Sequence, residues 1–148
     1  MKHDINIKSL EKELKNALKK SNVKGMDIGF LSSAKYSNGT QVAAVAYYNN
    51  FGTANIPARP FFSKCVSENT NKWLFTLSDM LKKNRKNELN INQCLDMLGN
   101  IIVSDIQESI TRLKEPPNKE KTIKEKHSSN PLIDTGLMRK SVTYRLSK

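Results

Sequence analysis

The apolar positions near the start of the chain recur at the spacing of a helix, and lysines occupy the opposite side. The stripe consists of Ile7, Leu10, Leu14, Ala17 and Leu18. This pattern predicts an amphipathic helix over about residues 6–20. From Gly25 the period falls to two, because Met26, Ile28 and Phe30 alternate with Asp27 and Gly29. A strand is therefore predicted over residues 25–31.

Residues 40–51 fit two patterns. Their β-branched and aromatic residues suit a strand. Thr40 is a suitable N-cap and Gly52 a suitable residue after a helix end. Four residues are also spaced for one helical face: Val42, Val45, Ala46 and Asn49. The alanines favour a short helix, and a helix is the prediction.

Two long helices are predicted in the middle of the chain, over about residues 61–83 and 90–113. The buried stripe of the first is predicted to be Phe62, Val66, Trp73, Leu77, Met80 and Leu81. That of the second is Ile91, Leu95, Leu98, Ile102, Ile106, Ile110 and Leu113. Asn90 and Gln93 stand at capping-box spacing. The short polar turn between the helices implies that they lie antiparallel.

The end of the chain is predicted to return to the sheet. Residues 115–130 form an extended charged loop with a double proline, and loops of this length are usually functional or disordered. Asp134 or Thr135 is expected to cap a helical turn through Ser141, and residues 142–146 to form a strand that pairs with residues 25–31. The predicted class is α+β. One domain over residues 1–148 carries a small antiparallel or mixed sheet, two long antiparallel helices and shorter helices.

Residues 55–62 form a proline-rich arm. Pro57 and Pro60 lock their own φ angles and favour extended geometry at Ile56 and Arg59. A stiff, extended arm is therefore expected, suited to gripping a neighbouring surface. Arg59 has no acid nearby in sequence, so its guanidinium needs a partner from another subunit or from elsewhere in the fold. The second alternative is a contact within the chain that only fixes the arm.

Two blocks of sequence resemble a known family. Phe51-Gly52-Thr53 followed by Ile56-Pro57-Ala58-Arg59-Pro60-Phe61-Phe62 is similar to the signature of small neck proteins of tailed bacteriophages, the tail-completion or head–tail joining proteins. Asn50 stands where that family usually has glutamate. The second block has the family's order and spacing: Pro116-Pro117, Thr122-Ile123, Lys126, Pro131-Leu132-Ile133-Asp134-Thr135-Gly136, Leu137, Ser141 and Tyr144.

The resemblance implies a structural virion protein that completes the tail or joins it to the head. Such a protein assembles in the cytoplasm of the bacterial host, forms a ring of identical subunits around the DNA path and contacts other neck and tail proteins. The interface with a subunit or partner is then expected at Asn50, Phe51, Gly52, Ile56, Pro57, Arg59, Pro60 and Phe61. The C-terminal motif comprises Pro131, Asp134, Thr135 and Gly136.

The net charge of +11 is concentrated at the two ends of the chain. Residues 1–24 hold seven lysines against three acids, and residues 111–148 hold ten basic residues against four acids. Basic flanks of this kind are either solvated faces or contacts with DNA phosphates or an acidic protein surface. The candidate contacts are Lys119, Lys121, Lys124 and Lys126. A basic nucleic-acid-binding accessory protein is the alternative function.

Catalytic patterns are weak. Asp134-Thr135-Gly136 resembles the loop of retroviral aspartic proteases, but only twelve residues follow it in this sequence, too few for a flap and a cleft. His3 and His127 lack neighbours at metal spacing, and Cys65 and Cys94 are expected to be buried free thiols. No enzyme activity, cofactor or metal is expected. No apolar run reaches membrane-spanning length, so no membrane contact is expected either.

Overall fold

The structure is a computed structural model that describes residues 4–31, 33–114, 116–119, 122 and 136–148. Its class is α+β, as predicted. Strands β1 (Gly25–Gly29) and β2 (Thr143–Ser147) form an antiparallel sheet in which Ile28 lies opposite Tyr144. The helices are α1 (Ile7–Leu18), α2 (Val42–Phe51), α3 (Phe61–Arg85), α4 (Ile91–Arg112) and α5 (Leu137–Lys140).

Helices α3 and α4 form the predicted antiparallel pair. The start of α3 meets the end of α4, where the Ser109 hydroxyl donates to the Phe61 carbonyl at 2.7 Å. Near the turn, the Asn84 side chain donates to the Leu89 carbonyl at 2.9 Å. The capping box is also present: the side chains of Asn90 and Gln93 each accept from the other residue's backbone N–H, both at 2.9 Å. Capping satisfies N–H groups that lack partners within the helix.

The two-stranded sheet packs against α4 at a glycine. A Cβ atom at Gly99 would lie 2.7 Å from ring carbons of Tyr144, so only glycine allows β2 this close to the helix. The Tyr144 hydroxyl donates to Asp96 Oδ1 at 3.1 Å. Burial and the Asp96 carboxylate both raise the pKa of Tyr144. This contact fixes the sheet on α4, beside the start of α3.

The predicted stripe of α3 is wrong over its first turns. Phe61 and Cys65 are buried there, at 1% and 3% exposure, whereas Val66 is exposed and Phe62 is half-buried. The helix starts between two elements: the Phe61 carbonyl accepts a hydrogen bond from Ser109 of α4, and the ring of Phe62 lies against Gly29 of β1. Farther along α3 the prediction is confirmed for Leu77, Met80 and Leu81, all of them buried.

Helix α2 is confirmed, but its predicted N-cap is wrong. Gln41 occupies the N-cap position and makes no side-chain cap bond. Thr40 belongs instead to the preceding turn, in which its carbonyl accepts from the Tyr36 N–H at 2.9 Å. Helix α1 has Asn6 as its N-cap, with the side chain accepting from the Ser9 N–H at 3.1 Å.

Candidate interaction surface

The arm, residues 55–62, lies against its own chain. The Thr53 N–H donates to the Ile56 carbonyl at 2.8 Å, and the Thr53 hydroxyl accepts from the Ile56 N–H at 3.1 Å. Gly52 ends α2 with φ of 80°, and a Cβ atom there would lie 2.9 Å from the Ala58 nitrogen. The chain therefore turns sharply after α2, because a glycine permits this conformation and close approach. The arm, predicted to grip a neighbouring surface, is thus held by hydrogen bonds within its own subunit.

Arg59 is the centre of this arrangement and is only 4% exposed. Its Nε donates to the Pro116 carbonyl at 2.8 Å, and one terminal nitrogen donates to the Pro117 carbonyl at 3.3 Å and to Asn118 Oδ1 at 3.1 Å. The other terminal nitrogen donates to Asn49 Oδ1 at 3.3 Å. Burial lowers the pKa of the guanidinium.

These contacts decide between the two predictions made for Arg59. The guanidinium binds its own chain, so the expected reach to a neighbouring subunit is wrong and the contact within the chain is what the structure shows. The acceptors are backbone carbonyl and side-chain amide oxygens. A planar group with five N–H donors suits several such acceptors at once. Arg59 thereby connects the two sequence blocks, one at the arm and the other at Pro116-Pro117.

Asn50 is buried and caps a helix to which it does not belong. Its Oδ1 accepts from the N–H groups of Phe62 and Ser63, both at 3.1 Å, and its Nδ2 donates to the Ser63 hydroxyl at 2.7 Å. Pro60, the N-cap residue of α3, has no side chain for this role. Asn50 and Phe61 are both buried in the subunit. Their predicted contact with a partner stays a prediction.

Three exposed aromatic residues lie on the outer side of α2. We call Tyr47, Tyr48 and Phe51 the aromatic patch; they are 62%, 46% and 62% exposed. The rings of Tyr47 and Phe51 are 4.8 Å apart, and those of Tyr47 and Tyr48 are 6.1 Å apart. Exposure of Phe51 agrees with its place among the expected interface residues. Adjacent helical residues point in different directions, yet both tyrosines are exposed.

A shallow apolar groove of about 300 Å³ lies beside the aromatic patch. Helix α2 forms one wall of it, and β1 with the start of α3 forms the other. Its apolar lining comprises Ile28, Phe30, Ala43, Ala46, Tyr47, Phe51, Phe61 and Phe62. Patch and groove together form a continuous apolar surface next to the arm, on which Pro57, Ala58 and Pro60 are also exposed.

Of the remaining predicted site residues, four lie in the described part of the chain. Ile56 and Gly52 are half-buried, and Lys119 is exposed. Gly136 precedes α5 in the left-handed conformation, with φ of 79°. Six residues lie outside the described part of the chain: Pro131, Asp134, Thr135, Lys121, Lys124 and Lys126.

The described residues show little sign of reactive chemistry. Cys65 and Cys94 are free and buried, as predicted, and burial raises the pKa of both thiols. A thiol with a raised pKa is a poor nucleophile at neutral pH. No cluster of three or more histidine, cysteine or acidic residues that could hold a metal ion occurs in the described ranges. No helix there is both long and apolar enough to cross a bilayer.

Comparison of the chain with protein-family models, with curated proteins and with solved structures found no match. The resemblance to neck proteins therefore depends on the two sequence blocks alone. The structure adds that Arg59, Asn49 and the Pro116-Pro117 segment are in contact.

Proposed function

We propose that this protein is a structural component of the neck of a tailed bacteriophage, which completes the tail or joins it to the head as part of an oligomeric ring around the DNA path. One observation carries the proposal: an exposed aromatic patch and an apolar groove lie beside the segment that resembles the neck-protein signature, and both include Phe51 of that segment. Tyrosine and other aromatic residues are enriched in protein interfaces. Clustered exposed apolar groups of this kind mark interaction sites.

The buried residues of the same signature support this role indirectly. Asn50 fixes the start of α3 and Arg59 fixes the arm, so the end of α2 is held rigidly between them. A rigid surface loses less conformational freedom on binding than a mobile one. In this proposal the signature residues preorganise the interface, and the exposed rings of Tyr47, Tyr48 and Phe51 make the contact.

A ring of identical subunits needs two different patches on each subunit, which meet head to tail. The aromatic patch with its groove serves as the first patch. The second includes the charged segment 115–130, in which residues 116–118 lie beside Arg59. The role is one of assembly, in which no covalent bond is made or broken.

Disruption of the gene in the phage genome that carries it tests the proposal. We expect DNA-filled heads and separate tails in electron micrographs of the lysate, with joining restored by the wild-type protein added in trans. A variant in which Tyr47 and Phe51 are both replaced by serine should fail to restore joining, whereas Phe75→Ser, at an exposed aromatic residue of α3, should succeed. Normally tailed particles from the disrupted phage would refute the neck role.

A further inference from the structure

Four lysines form a line along one side of α1. Lys8, Lys12, Lys15 and Lys19 are separated by four, three and four residues, which at 100° per residue places them within about 60° of the helix circumference. All four are exposed. From the first to the last the line is about 16 Å long, at 1.5 Å per residue. We call these residues the lysine stripe.

The opposite side of α1 is already occupied by the core of its own subunit. Leu10 is buried, and Leu14, Ala17 and Leu18 pack against the core cluster. An amphipathic helix that binds a membrane surface must place its apolar side in the bilayer. In α1 most of that side is packed against the core, and the lysine stripe lies on the exposed side of the helix.

Few negative charges compete for the lysine stripe. Glu11 pairs with Lys15 at 2.8 Å, but both side chains are more than half exposed, and an exposed pair one helical turn apart is weak. Glu13 is directed to Arg85 of α3 at 2.6 Å. In the described part of the chain, Lys8, Lys12 and Lys19 form no ion pair.

We propose that the lysine stripe binds the phosphate backbone of double-stranded DNA without reading its sequence. B-DNA carries one negative charge per about 1.7 Å of its axis, so roughly nine phosphates lie within the 16 Å length of the stripe, more than enough to pair with four cations. Lysines position a protein on DNA through phosphate contacts, which carry no sequence information. This inference deepens the proposed function and rests on it, because the DNA would be the molecule that passes through the proposed ring. It places a DNA contact on α1, apart from Lys119–Lys126.

The test is the salt dependence of binding of the full chain to a labelled duplex of arbitrary sequence. A variant with all four stripe lysines replaced by glutamine (K8Q/K12Q/K15Q/K19Q) is compared with wild type. Each phosphate contact contributes about 0.9 to the slope of log affinity against log salt, so the slope should fall by about three to four. The ratio of the wild-type affinity for the duplex to that of the variant should then fall about 150-fold between 50 and 200 mM salt.

A matched control carries the same loss of charge elsewhere: K35Q/K64Q/K114Q/K140Q. These lysines are also exposed, and Lys64, like Lys15, pairs with a glutamate one turn away. Replacing the stripe lysines with arginine should retain binding. Circular dichroism shows whether each variant is folded, which is expected because the changed side chains are solvent-exposed.

Equal losses in the two glutamine variants would overturn the proposal, because binding would then follow net charge alone. Tighter binding of poly-glutamate than of duplex at equal charge concentration would overturn it as well, by indicating an acidic protein surface as the partner. A strong preference for one DNA sequence would also contradict it. If the disrupted phage makes normally tailed particles but the stripe variant loses DNA binding, the neck role is refuted and the stripe proposal is supported. If disruption separates heads from tails but the stripe variant binds DNA like wild type, only the stripe proposal is refuted.

Discussion

At the scale of single residues, the side chains of the signature act within the fold. Asn50 stands where the neck proteins that the sequence resembles usually have glutamate, and it provides an acceptor oxygen for N–H groups in the first turn of α3. An amide oxygen and a carboxylate oxygen both accept hydrogen bonds from such groups. The departure from the family pattern therefore retains the acceptor while removing a charge.

We expect Asn50→Ala to lower the free energy of unfolding by about 1–2 kcal/mol, since two buried N–H groups lose their acceptor. Asn50→Asp should cost less, because an oxygen remains in place and a negative charge is favourable at a helix N-terminus. Urea unfolding measures both. Asn71→Ala, at an exposed position of α3, is the control, and an equal loss there would show that the cap contributes nothing.

Arg59→Ala should destabilise the isolated subunit, because the carbonyl groups of Pro116 and Pro117 lose their donor. A hydrogen bond to a charged group contributes about 1.5–3 kcal/mol, so we expect a loss of at least that size in urea unfolding. Limited proteolysis should also cut the arm faster. Arg59→Lys should recover only part of the loss, since one ammonium group cannot reach all four acceptors.

At the scale of elements, the helices are predicted well and their exact faces less well. The limits of α2, α3 and α4 agree with the pattern of apolar residues to within about two positions, because that pattern and the caps are local. The face of α3 at its first turn depends on neighbours. Phe61 and Cys65 are buried there, although the spacing predicted Phe62 and Val66 as the buried residues.

The contact between α4 and β2 can be tested at Gly99. Alanine in the middle of a helix is ordinarily more stable than glycine by about 1 kcal/mol. Gly99→Ala should nevertheless destabilise the protein, because its Cβ would lie 2.7 Å from the Tyr144 ring. In a Tyr144→Ala background, the same change should become neutral or stabilising. A loss that is identical in both backgrounds, measured by thermal unfolding, would show that the two residues are not coupled.

At the scale of the whole molecule, apolar and charged surfaces are separated. The aromatic patch and its groove lie on α2, β1 and the start of α3, whereas the lysine stripe lies on α1. A subunit of a ring around DNA needs such a division, with one surface for its neighbours and another for the polyanion. The arrangement is the physical basis of both proposals.

We expect the purified wild-type protein to form oligomers whose mass rises with concentration in light scattering. The double variant Tyr47→Ser and Phe51→Ser should remain monomeric with an unchanged circular dichroism spectrum, because both rings are exposed in the subunit. Phe75→Ser, at an exposed aromatic residue of α3, should assemble like wild type. Equal masses for the double variant and wild type would exclude the aromatic patch as a contact between subunits.

The sequence by itself determined the class, the order of elements, the antiparallel long helices, the capping box and the pairing of the two strands. These features follow from period, caps and turn residues, which act over a few positions. Only the tertiary structure decided that Arg59 turns inward, that Asn50 caps a helix eleven residues farther on and that both tyrosines remain outside. The physical reason is that hydrogen-bond partners such as Pro116 and packing partners such as Tyr144 are distant in the chain, so no local pattern contains them.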